Sequence, residues 1–317
     1  MRAAFLDFDS GSGSDLDLTS LRAVLPDLAL YDASTPSLTA ERLRDAEVVL
    51  LDQCPLPREV LLHAHRLRLI ALTATGYNNI DLATARERGI AVCNVREYCT
   101  QSLMQHVWGM ILSLTHHLAE YRALATGGAW MSGAPINVQS HSIRELSGRN
   151  LGIVGWGDLG RAVARTGECF GMNVLVANRV GTAPVPGRLA LPELLALADV
   201  VSLHCPLEEG TRGLIGAAEL GLMKPDALLI NTARGGLVDS AALAAALKRG
   251  RLGGAGIDVL PQEPPVDGDP LLDPSIPRLL VTPHVAWAAR ESRQRILDEV
   301  AANVRDFLEG GRRGRVD

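Results

Sequence analysis

The stretch "LGIVGWGDLGRAVA", residues 151–164, joins a short apolar run to a helix-like segment through three glycines. The glycines have the spacing G-x-G-x-x-G. Gly155 allows a tight turn, Gly157 lets the backbone approach a pyrophosphate, and Gly160 lets the following helix pack closely on the strand. The N–H groups at the start of that helix would face the anion. The stretch therefore predicts a dinucleotide-binding turn, and the alternative is a glycine-rich turn that holds no ligand.

The same alternation of strand-like and helix-like segments continues on both sides of this turn. A helix is predicted over 239–248, with Asp239 as its N-cap and Gly250 as its stop. Such alternation predicts parallel sheets covered by helices on both faces. We expect an α/β protein with two Rossmann-like or flavodoxin-like domains. The predicted strands are 3–7, 28–31, 48–51, 69–73 and 91–94 in one sheet, and 151–155, 173–178, 200–204, 228–231, 254–259 and 278–282 in the other.

Two segments have the apolar spacing of longer helices. From Thr100, apolar residues recur at helical spacing as far as Tyr121, and Gly127-Gly128 ends the run. This pattern predicts one long helix that bridges the two domains. It carries more apolar length than one domain usually covers. The segment 290–309 is amphipathic and predicts a second long helix near the C-terminus.

Composition excludes several classes of protein. The chain has 317 residues, a formal net charge of −5 and no run of about 18 apolar residues, so neither nucleic acid nor a membrane is an expected partner. Five cysteines without a C-x-x-C pair indicate reduced thiols and a cytoplasmic location. The histidine pairs His63/His65 and His116/His117 lack the i, i+4 spacing that puts two imidazoles on one helix face, so no metal site is expected.

The choice of cofactor depends on "VLVANRVG", residues 174–181, at the end of the next predicted strand. Asn178 lies 21 residues after Gly157, close to the distance of roughly 20 at which an acid usually holds the ribose of NAD. Asn178 is neutral, and Arg179 could pair with a 2′-phosphate. This favours NADP(H). NAD(H) stays possible if Arg179 is only a solvated loop charge.

Three further segments follow predicted strands: "INTARGG" with Arg234, "DVLPQEPP" with Glu263, and "VTPHVAW" with His284. Ligands of open α/β sheets bind outside the carboxyl ends of the strands. His284 suits a proton donor, Glu263 could orient its imidazole and raise its pKa, and Arg234 suits a substrate carboxylate. Each residue alone is more often structural or solvated than catalytic. Their joint placement predicts a ketone-reducing site.

These segments, with "SLHCPL" and "MKPDALLINTARGGLVD", resemble the D-isomer-specific 2-hydroxyacid dehydrogenases, and among them most closely the glycerate dehydrogenases, also called hydroxypyruvate reductases. The resemblance implies the catalytic trio Arg234, Glu263 and His284. It also implies that "TATGYNNID" holds the substrate, through Thr75, Gly76 and Tyr77 together with Arg234. The implied cofactor contacts are Gly155, Gly157, Asp158, Leu159, Gly160, Asn178, Arg179, His204, Pro206, Thr211, Thr232, Ala233, Arg234, Asp258, His284 and Ala286.

The resemblance further implies a cofactor domain, 99–287, inserted into a substrate domain made of 1–98 and 288–317. Relatives pair through their cofactor domains, so a homodimer is expected. Two departures concern the substrate. Asp52-Gln53 stand where related reductases often have Asn-Lys, and Leu103-Met104 replace a smaller Val-Ala pair. These departures leave the identity of the 2-keto acid open.

The sequence thus predicts an oxidoreductase that transfers hydride between NADP(H) or NAD(H) and a small 2-keto or D-2-hydroxy acid, in the manner of a hydroxypyruvate or glyoxylate reductase. The alternative is a dinucleotide-sensing interaction protein of the same fold, similar to a corepressor, because fold alone does not decide function. Oxidation of the reduced cofactor by glyoxylate or hydroxypyruvate distinguishes the two.

Overall fold

A computed structural model describes residues 1–8, 15–128, 130–133 and 141–317. The chain forms two compact units. The first comprises Met1–Cys99 and Trp287–Asp317, and the second, Thr100–Ala286, is inserted between these two parts. The ring of Trp287 packs edge-on against that of Tyr98, with ring centroids 6.5 Å apart, so Trp287 belongs with the first unit.

The first unit contains a parallel five-stranded sheet in the order β2-β1-β3-β4-β5. This is the strand order of flavodoxin-like folds, and it matches the predicted class. The strands are β1 Arg2–Phe5, β2 Asp27–Leu30, β3 Val48–Leu51, β4 Leu69–Leu72 and β5 Ala91–Cys93. The helices are α1 Thr19–Val24, α2 Pro36–Leu43, α3 Arg58–His63, α4 Leu82–Glu87 and, after the insertion, α11 Arg290–Leu308.

Side-chain alternation along β3 shows why this sheet is buried on both faces. Val48 and Leu50 pack into one apolar cluster with α11, whereas Val49 and Leu51 pack into the cluster on the opposite face. Successive strand residues point to opposite faces, so a strand with four apolar residues in sequence needs cover on both. The amphipathic segment near the C-terminus supplies one of these covers.

A buried carboxylate shapes the carboxyl edge of this sheet, at the point where the strand order reverses. Asp7 follows β1 and is 6% exposed, and its carboxylate accepts the backbone N–H groups of Asp52, Gln53 and Cys54 at 2.8–2.9 Å. Asn79 binds the same turn from its other side, because its Nδ2 donates to the carbonyls of Asp52 and Cys54 at 3.1 Å. The turn after β3 is therefore fixed through both its donors and its acceptors.

The second unit contains a parallel six-stranded sheet in the order β11-β10-β9-β8-β6-β7. Its strands are β6 Asn150–Val154, β7 Asn173–Val176, β8 Val200–Leu203, β9 Leu228–Asn231, β10 Gly254–Ile257 and β11 Leu279–Val281. The helices are α5 Thr100–Thr115, α6 Leu118–Thr126, α7 Asp158–Cys169, α8 Leu191–Leu197, α9 Ala217–Leu222 and α10 Ser240–Lys248. Asp239 caps α10 as predicted, because its side chain accepts the N–H groups of Ala241 and Ala242.

The prediction of one long helix from Thr100 is wrong. The helix ends at Thr115, and His117 adopts a left-handed conformation with φ +52° before α6 begins at Leu118. The guanidinium of Arg278 donates to the Leu114 carbonyl at 3.0 Å. That carbonyl is therefore satisfied from outside the helix, which allows the chain to turn. Nowhere in the described ranges is a helix both long and apolar enough to span a bilayer.

The Asp7 carboxylate should contribute measurably to stability. Replacing Asp7 with Ala leaves three N–H groups without this acceptor. The bond to Cys54 is buried and those to Asp52 and Gln53 are partly buried, and one unsatisfied buried donor costs about 1–3 kcal/mol. We expect the free energy of unfolding in urea to fall by at least about 2 kcal/mol. Asp45→Ala is the control, because Asp45 pairs with Arg2 at the surface, where ion pairs contribute at most about 1 kcal/mol. Equal effects of the two substitutions would contradict this account of the turn.

Candidate active site

The glycine turn after β6 has the geometry that the sequence predicts. Gly155 has φ +104°, and a Cβ atom there would lie 2.5 Å from the His204 carbonyl carbon. A Cβ atom on Gly160 would lie 2.1 Å from the Gly155 oxygen. At Gly157, by contrast, a Cβ atom would meet nothing within 4 Å. The first and third glycines are thus needed for packing inside the protein, while the second opens onto space that a phosphate could fill.

Helix α7 begins directly at this turn. Gly157 is its N-cap, and the helix runs for 12 residues from Asp158, with Leu159 and Gly160 in its first turn. The N–H groups in a first turn have no partner within the helix and carry a partial positive charge. Asp158 forms an ion pair with Arg161 on the surface of the same turn. The helix start can therefore hold a pyrophosphate through its backbone.

The loop after β8 lies beside the glycine turn. Thr211 holds this loop closed, since its hydroxyl donates to the Pro206 carbonyl at 2.8 Å and accepts the Glu208 N–H at 2.7 Å. His204 Nε2 lies 2.9 Å from the Ser202 hydroxyl. Desolvation lowers the pKa of His204 to about 4, so its imidazole is neutral at physiological pH. These side chains fix the loop that forms one wall of the site.

A buried hydroxyl after β9 also fits a bound cofactor. Thr232 is 5% exposed, and its Oγ1 has no hydrogen-bond partner among the residues that the structure describes. A buried hydroxyl without a partner is costly, so such an atom marks a place where a ligand can complete the bonding. Together with the open space at Gly157 and the donors of α7, Thr232 makes this edge suitable for a nicotinamide dinucleotide.

Asn178 and Arg179, the pair predicted to select the cofactor, make different contacts in the structure. The Asn178 side chain closes its own loop: Nδ2 donates to the Thr182 and Ala183 carbonyls at 3.2 Å, and Oδ1 accepts the Val185 N–H. Arg179 instead extends from this loop and contacts the Glu208 carboxylate at 3.3–3.4 Å. The Asn178 side chain therefore closes the loop, and the positively charged group of the pair, the Arg179 guanidinium, extends away from it.

Arg234 and Glu263 lie on loops that contact each other backbone to backbone. A Cβ atom on Gly235 would lie 2.0 Å from the Leu260 carbonyl carbon, so only glycine allows the two loops to come this close. Asn231 fixes the first loop from within, because its Nδ2 donates to the Arg234 carbonyl and its Oδ1 accepts the Ala233 N–H. The side chain of Arg234 is exposed at this edge.

His284 and Glu263 form a direct hydrogen bond. The Nδ1 atom of His284 lies 2.6 Å from Oε2 of Glu263, and Oε1 of Glu263 accepts the Leu260 N–H at 2.7 Å. The bond to Glu263 is the main cause that raises the pKa of His284, against partial burial and the charge of Arg234. Burial acts to raise the pKa of Glu263, but its hydrogen bonds to His284 and Leu260 lower that pKa overall. The pair therefore favours a carboxylate beside an imidazolium.

The backbone that presents His284 depends on Asp258, which is 1% exposed. Its carboxylate accepts the N–H groups of Val285 and Ala286 at 2.9 Å and the hydroxyl of Thr282. His106 on α5 approaches the same group, with Nε2 3.0 Å from the Thr282 hydroxyl oxygen and 3.5 Å from Asp258 Oδ1. The sequence predicted Asp258 only as a cofactor contact and overlooked His106, whose one sequence signal is its place near the start of the bridging helix.

The predicted substrate loop belongs to the first unit, where Thr75, Gly76 and Tyr77 follow β4. The hydroxyl of Thr75 donates to the Val95 carbonyl at 2.8 Å, and Asn94 Nδ2 donates to the Thr75 carbonyl at 2.7 Å. Tyr77 is 38% exposed. The loop is thus anchored at its start and presents Gly76 and Tyr77 at the carboxyl edge of the first sheet. Arg234, Glu263 and His284 all belong to the second unit.

Comparison with known proteins identifies the family. Residues 108–286 match the family model described as "D-isomer specific 2-hydroxyacid dehydrogenase, NAD binding domain". The chain belongs to this family. It is 40% identical to a glycerate dehydrogenase of Methylorubrum extorquens over 98% of this chain and 96% of the relative. It is 33% identical to a hydroxypyruvate reductase of Blautia hydrogenotrophica over 98% of each. A solved D-lactate dehydrogenase of Aquifex aeolicus, complexed with NAD and lactic acid, matches with TM-score 0.81 and 29% identity over 98% of this chain and 96% of that one.

The family membership establishes the class of chemistry. The chain is an oxidoreductase that acts on a CH–OH group of a 2-hydroxy acid and uses a nicotinamide dinucleotide. The predicted fold class and the predicted resemblance are confirmed. Within the described part of the chain, no group of three or more His, Cys, Asp or Glu residues is placed to hold a metal ion.

The hydrogen bond between Glu263 and His284 should set the pKa of the imidazole. Glu263→Gln removes the negative charge that stabilises the imidazolium, so the pKa of His284 should fall. Nuclear magnetic resonance titration measures it, with the His284 signal assigned from its loss in His284→Gln. Asp267→Asn is the matched control, since Asp267 lies on the same loop and bonds to Gln262. An unchanged pKa in Glu263→Gln would show that the carboxylate does not control the imidazole.

Proposed function

We propose that this dehydrogenase reduces a small 2-keto acid to the D-2-hydroxy acid, with NADPH as its preferred reductant. The observation that carries the proposal is the His284–Glu263 hydrogen bond, formed within electrostatic range of Arg234 at the carboxyl edge of the cofactor-binding sheet. An imidazolium beside a guanidinium suits a carbonyl next to a carboxylate. The names of the related proteins, glycerate dehydrogenase, hydroxypyruvate reductase and glyoxylate reductase, agree with a substrate of two or three carbons.

The protein's own residues would hold the cofactor and complete the reaction. Candidates to hold it are the helix start at Asp158, the hydroxyl of Thr232 and the Arg179 side chain. When bound, the reduced nicotinamide supplies a hydride to the carbonyl carbon. The carbonyl oxygen gains negative charge as this happens, and His284 donates a proton to it from Nε2, because Nδ1 is bonded to Glu263. Glu263 keeps the ring oriented and stabilises its charged form.

The carboxylate of the substrate needs positive charge and N–H donors. Arg234 would bind it through its planar guanidinium, which can donate two parallel N–H bonds to a carboxylate. Asn231 and Gly235 fix the backbone on either side of Arg234. The guanidinium therefore extends from a rigid base, which favours one orientation of the keto acid.

The direction of the reaction should depend on pH through His284. Reduction uses the protonated imidazole, and oxidation uses the neutral one. Because Glu263 raises the pKa of His284, the protonated form persists to higher pH than for an ordinary histidine. Reduction should therefore be fastest below this raised pKa and decline as pH rises through it, while oxidation of the D-hydroxy acid should increase.

An exposed helix supports a proposal for assembly, and the cysteines support one for location. Helix α6 contains no buried residue, and Leu118 is 56% exposed. An apolar surface on a helix is typical of a subunit interface, so we propose a two-fold symmetric homodimer formed by the cofactor-binding unit.

All five cysteines are free thiols, which supports a place in the reducing cytoplasm.

A panel of 2-keto acids, assayed with NADPH and NADH, tests the proposed reaction. We expect glyoxylate or hydroxypyruvate to oxidise NADPH fastest. His284→Ala should lower the turnover number about 10²–10⁴-fold, the usual effect of losing a general acid, while NADPH binding measured by fluorescence stays nearly normal. A variant with more than half of the normal turnover would remove His284 from the mechanism, and a wild-type enzyme inactive on every keto acid would refute the substrate class.

Preference for NADPH should depend on Arg179. A charge-assisted hydrogen bond contributes about 1.5–3 kcal/mol, so we expect NADPH to be preferred by at least about tenfold in kcat/KM. Arg179→Ala should remove the preference, because it removes the attraction to the 2′-phosphate and keeps the Asn178 side chain that closes the loop. Arg188→Ala, a partly exposed arginine beyond the loop, is the control. Equal use of both cofactors by the unmodified enzyme would contradict the proposal.

A further inference from the structure

The ion pair between Arg179 and Glu208 joins the two loops on either side of the glycine turn in the second unit. Arg179 follows β7 and Glu208 follows β8, and these two strands are the neighbours of β6 on either side. A contact between the two loops therefore extends past the carboxyl end of β6, where the glycine turn begins. Nη2 of Arg179 lies 3.4 and 3.3 Å from the two carboxylate oxygens of Glu208.

The charged ends of this pair are exposed to solvent, while their backbones are held by hydrogen bonds. The side chains of Arg179 and Glu208 are 70% and 53% exposed, and ion pairs at such exposure contribute little to stability. The backbone of Glu208 is held because its N–H donates to Thr211 at 2.7 Å, and the loop of Arg179 is closed by Asn178. An incoming anion can thus replace Glu208 at Arg179 without moving either loop.

We propose that Glu208 is a specificity-determining residue that competes with the 2′-phosphate of the cofactor for Arg179. The idea rests on the proposed role of Arg179 as the phosphate ligand. In the absence of a phosphate, Glu208 neutralises the guanidinium. When a cofactor with a 2′-phosphate binds, its dianion must displace Glu208 and then lies near a carboxylate that repels it. Glu208 therefore limits the preference for the phosphorylated cofactor and leaves the protein able to use both.

Glu208→Gln tests this directly, because Gln keeps the size of the side chain and removes its charge. The probes are 2′,5′-ADP, which carries the 2′-phosphate, and 5′-AMP, which lacks it. Calorimetric titration of the full-length protein measures their affinities without any turnover. We expect the affinity of Glu208→Gln for 2′,5′-ADP to rise about three- to fivefold, the upper part of the range for a solvent-exposed charge, while the affinity for 5′-AMP changes less than about twofold.

Glu209→Gln is a closely matched control. Glu209 is the next residue and is also exposed, and its replacement by Gln changes the net charge by the same amount. The carboxylate that Arg179 contacts, however, is that of Glu208. The rise in affinity should be absent in Glu209→Gln. It should also vanish when Glu208→Gln is combined with Arg179→Gln, because the competition requires the guanidinium. High salt should shrink the effect, since exposed charges are screened.

The outcomes separate this inference from the proposed role of Arg179. If Arg179→Gln removes the discrimination between 2′,5′-ADP and 5′-AMP but Glu208→Gln and Glu209→Gln behave alike, Glu208 does not compete and the inference is overturned. An effect of Glu208→Gln that persists in the Arg179→Gln background overturns it as well, because the effect would then be a general charge effect. If Arg179→Gln leaves the discrimination unchanged, Arg179 is not the phosphate ligand, and both proposals are refuted.

Discussion

The buried carboxylate of Asp258 is the constraint on which the placement of His284 beside Glu263 depends. Asp258 follows β10, and its two oxygens accept the N–H groups of Val285 and Ala286 and the hydroxyl of Thr282, all of which belong to the turn after β11. His284 has φ +55° within this turn, a conformation that costs free energy for any residue with a Cβ atom. The hydrogen bonds to Asp258 compensate for that cost. These hydrogen bonds therefore fix the turn from which the imidazole extends toward Glu263.

The same logic applies at the other strand ends of this sheet. Gly155 and Gly160 are needed because backbone atoms lie where their side chains would be, and Gly235 brings the Arg234 loop against the Glu263 loop for the same reason. Small residues at the carboxyl edge thus bring loops together, and buried polar groups lock them in place. The charged groups that we propose carry the chemistry extend from a backbone that is already fixed, which reduces the reorganisation that catalysis needs.

Much of this architecture could be predicted from the sequence, because parallel strands buried on both faces read as short apolar runs such as "VVLL" at 48–51. The glycine turn and the strand ends with Arg234, Glu263 and His284 could be located for the same reason. The break at His117 could not, since it depends on Arg278, more than 150 residues further along the chain. The contacts of Asp7 and Asn79 in the first unit and of Glu208 in the second could not be predicted either, because each joins loops that are distant in sequence.

In the proposed reaction a hydride reaches C2 of a 2-keto acid, while His284 donates a proton to the carbonyl oxygen. The most direct measurement follows the isotope. The enzyme is supplied with NADPH in which both hydrogens at C4 of the nicotinamide are replaced by deuterium, and with hydroxypyruvate or glyoxylate. The product is analysed by mass spectrometry and, for hydroxypyruvate, by chiral chromatography. The account predicts one deuterium at C2 of the hydroxy acid, and glycerate of D configuration. A product without deuterium at C2, or glycerate of L configuration, would contradict it.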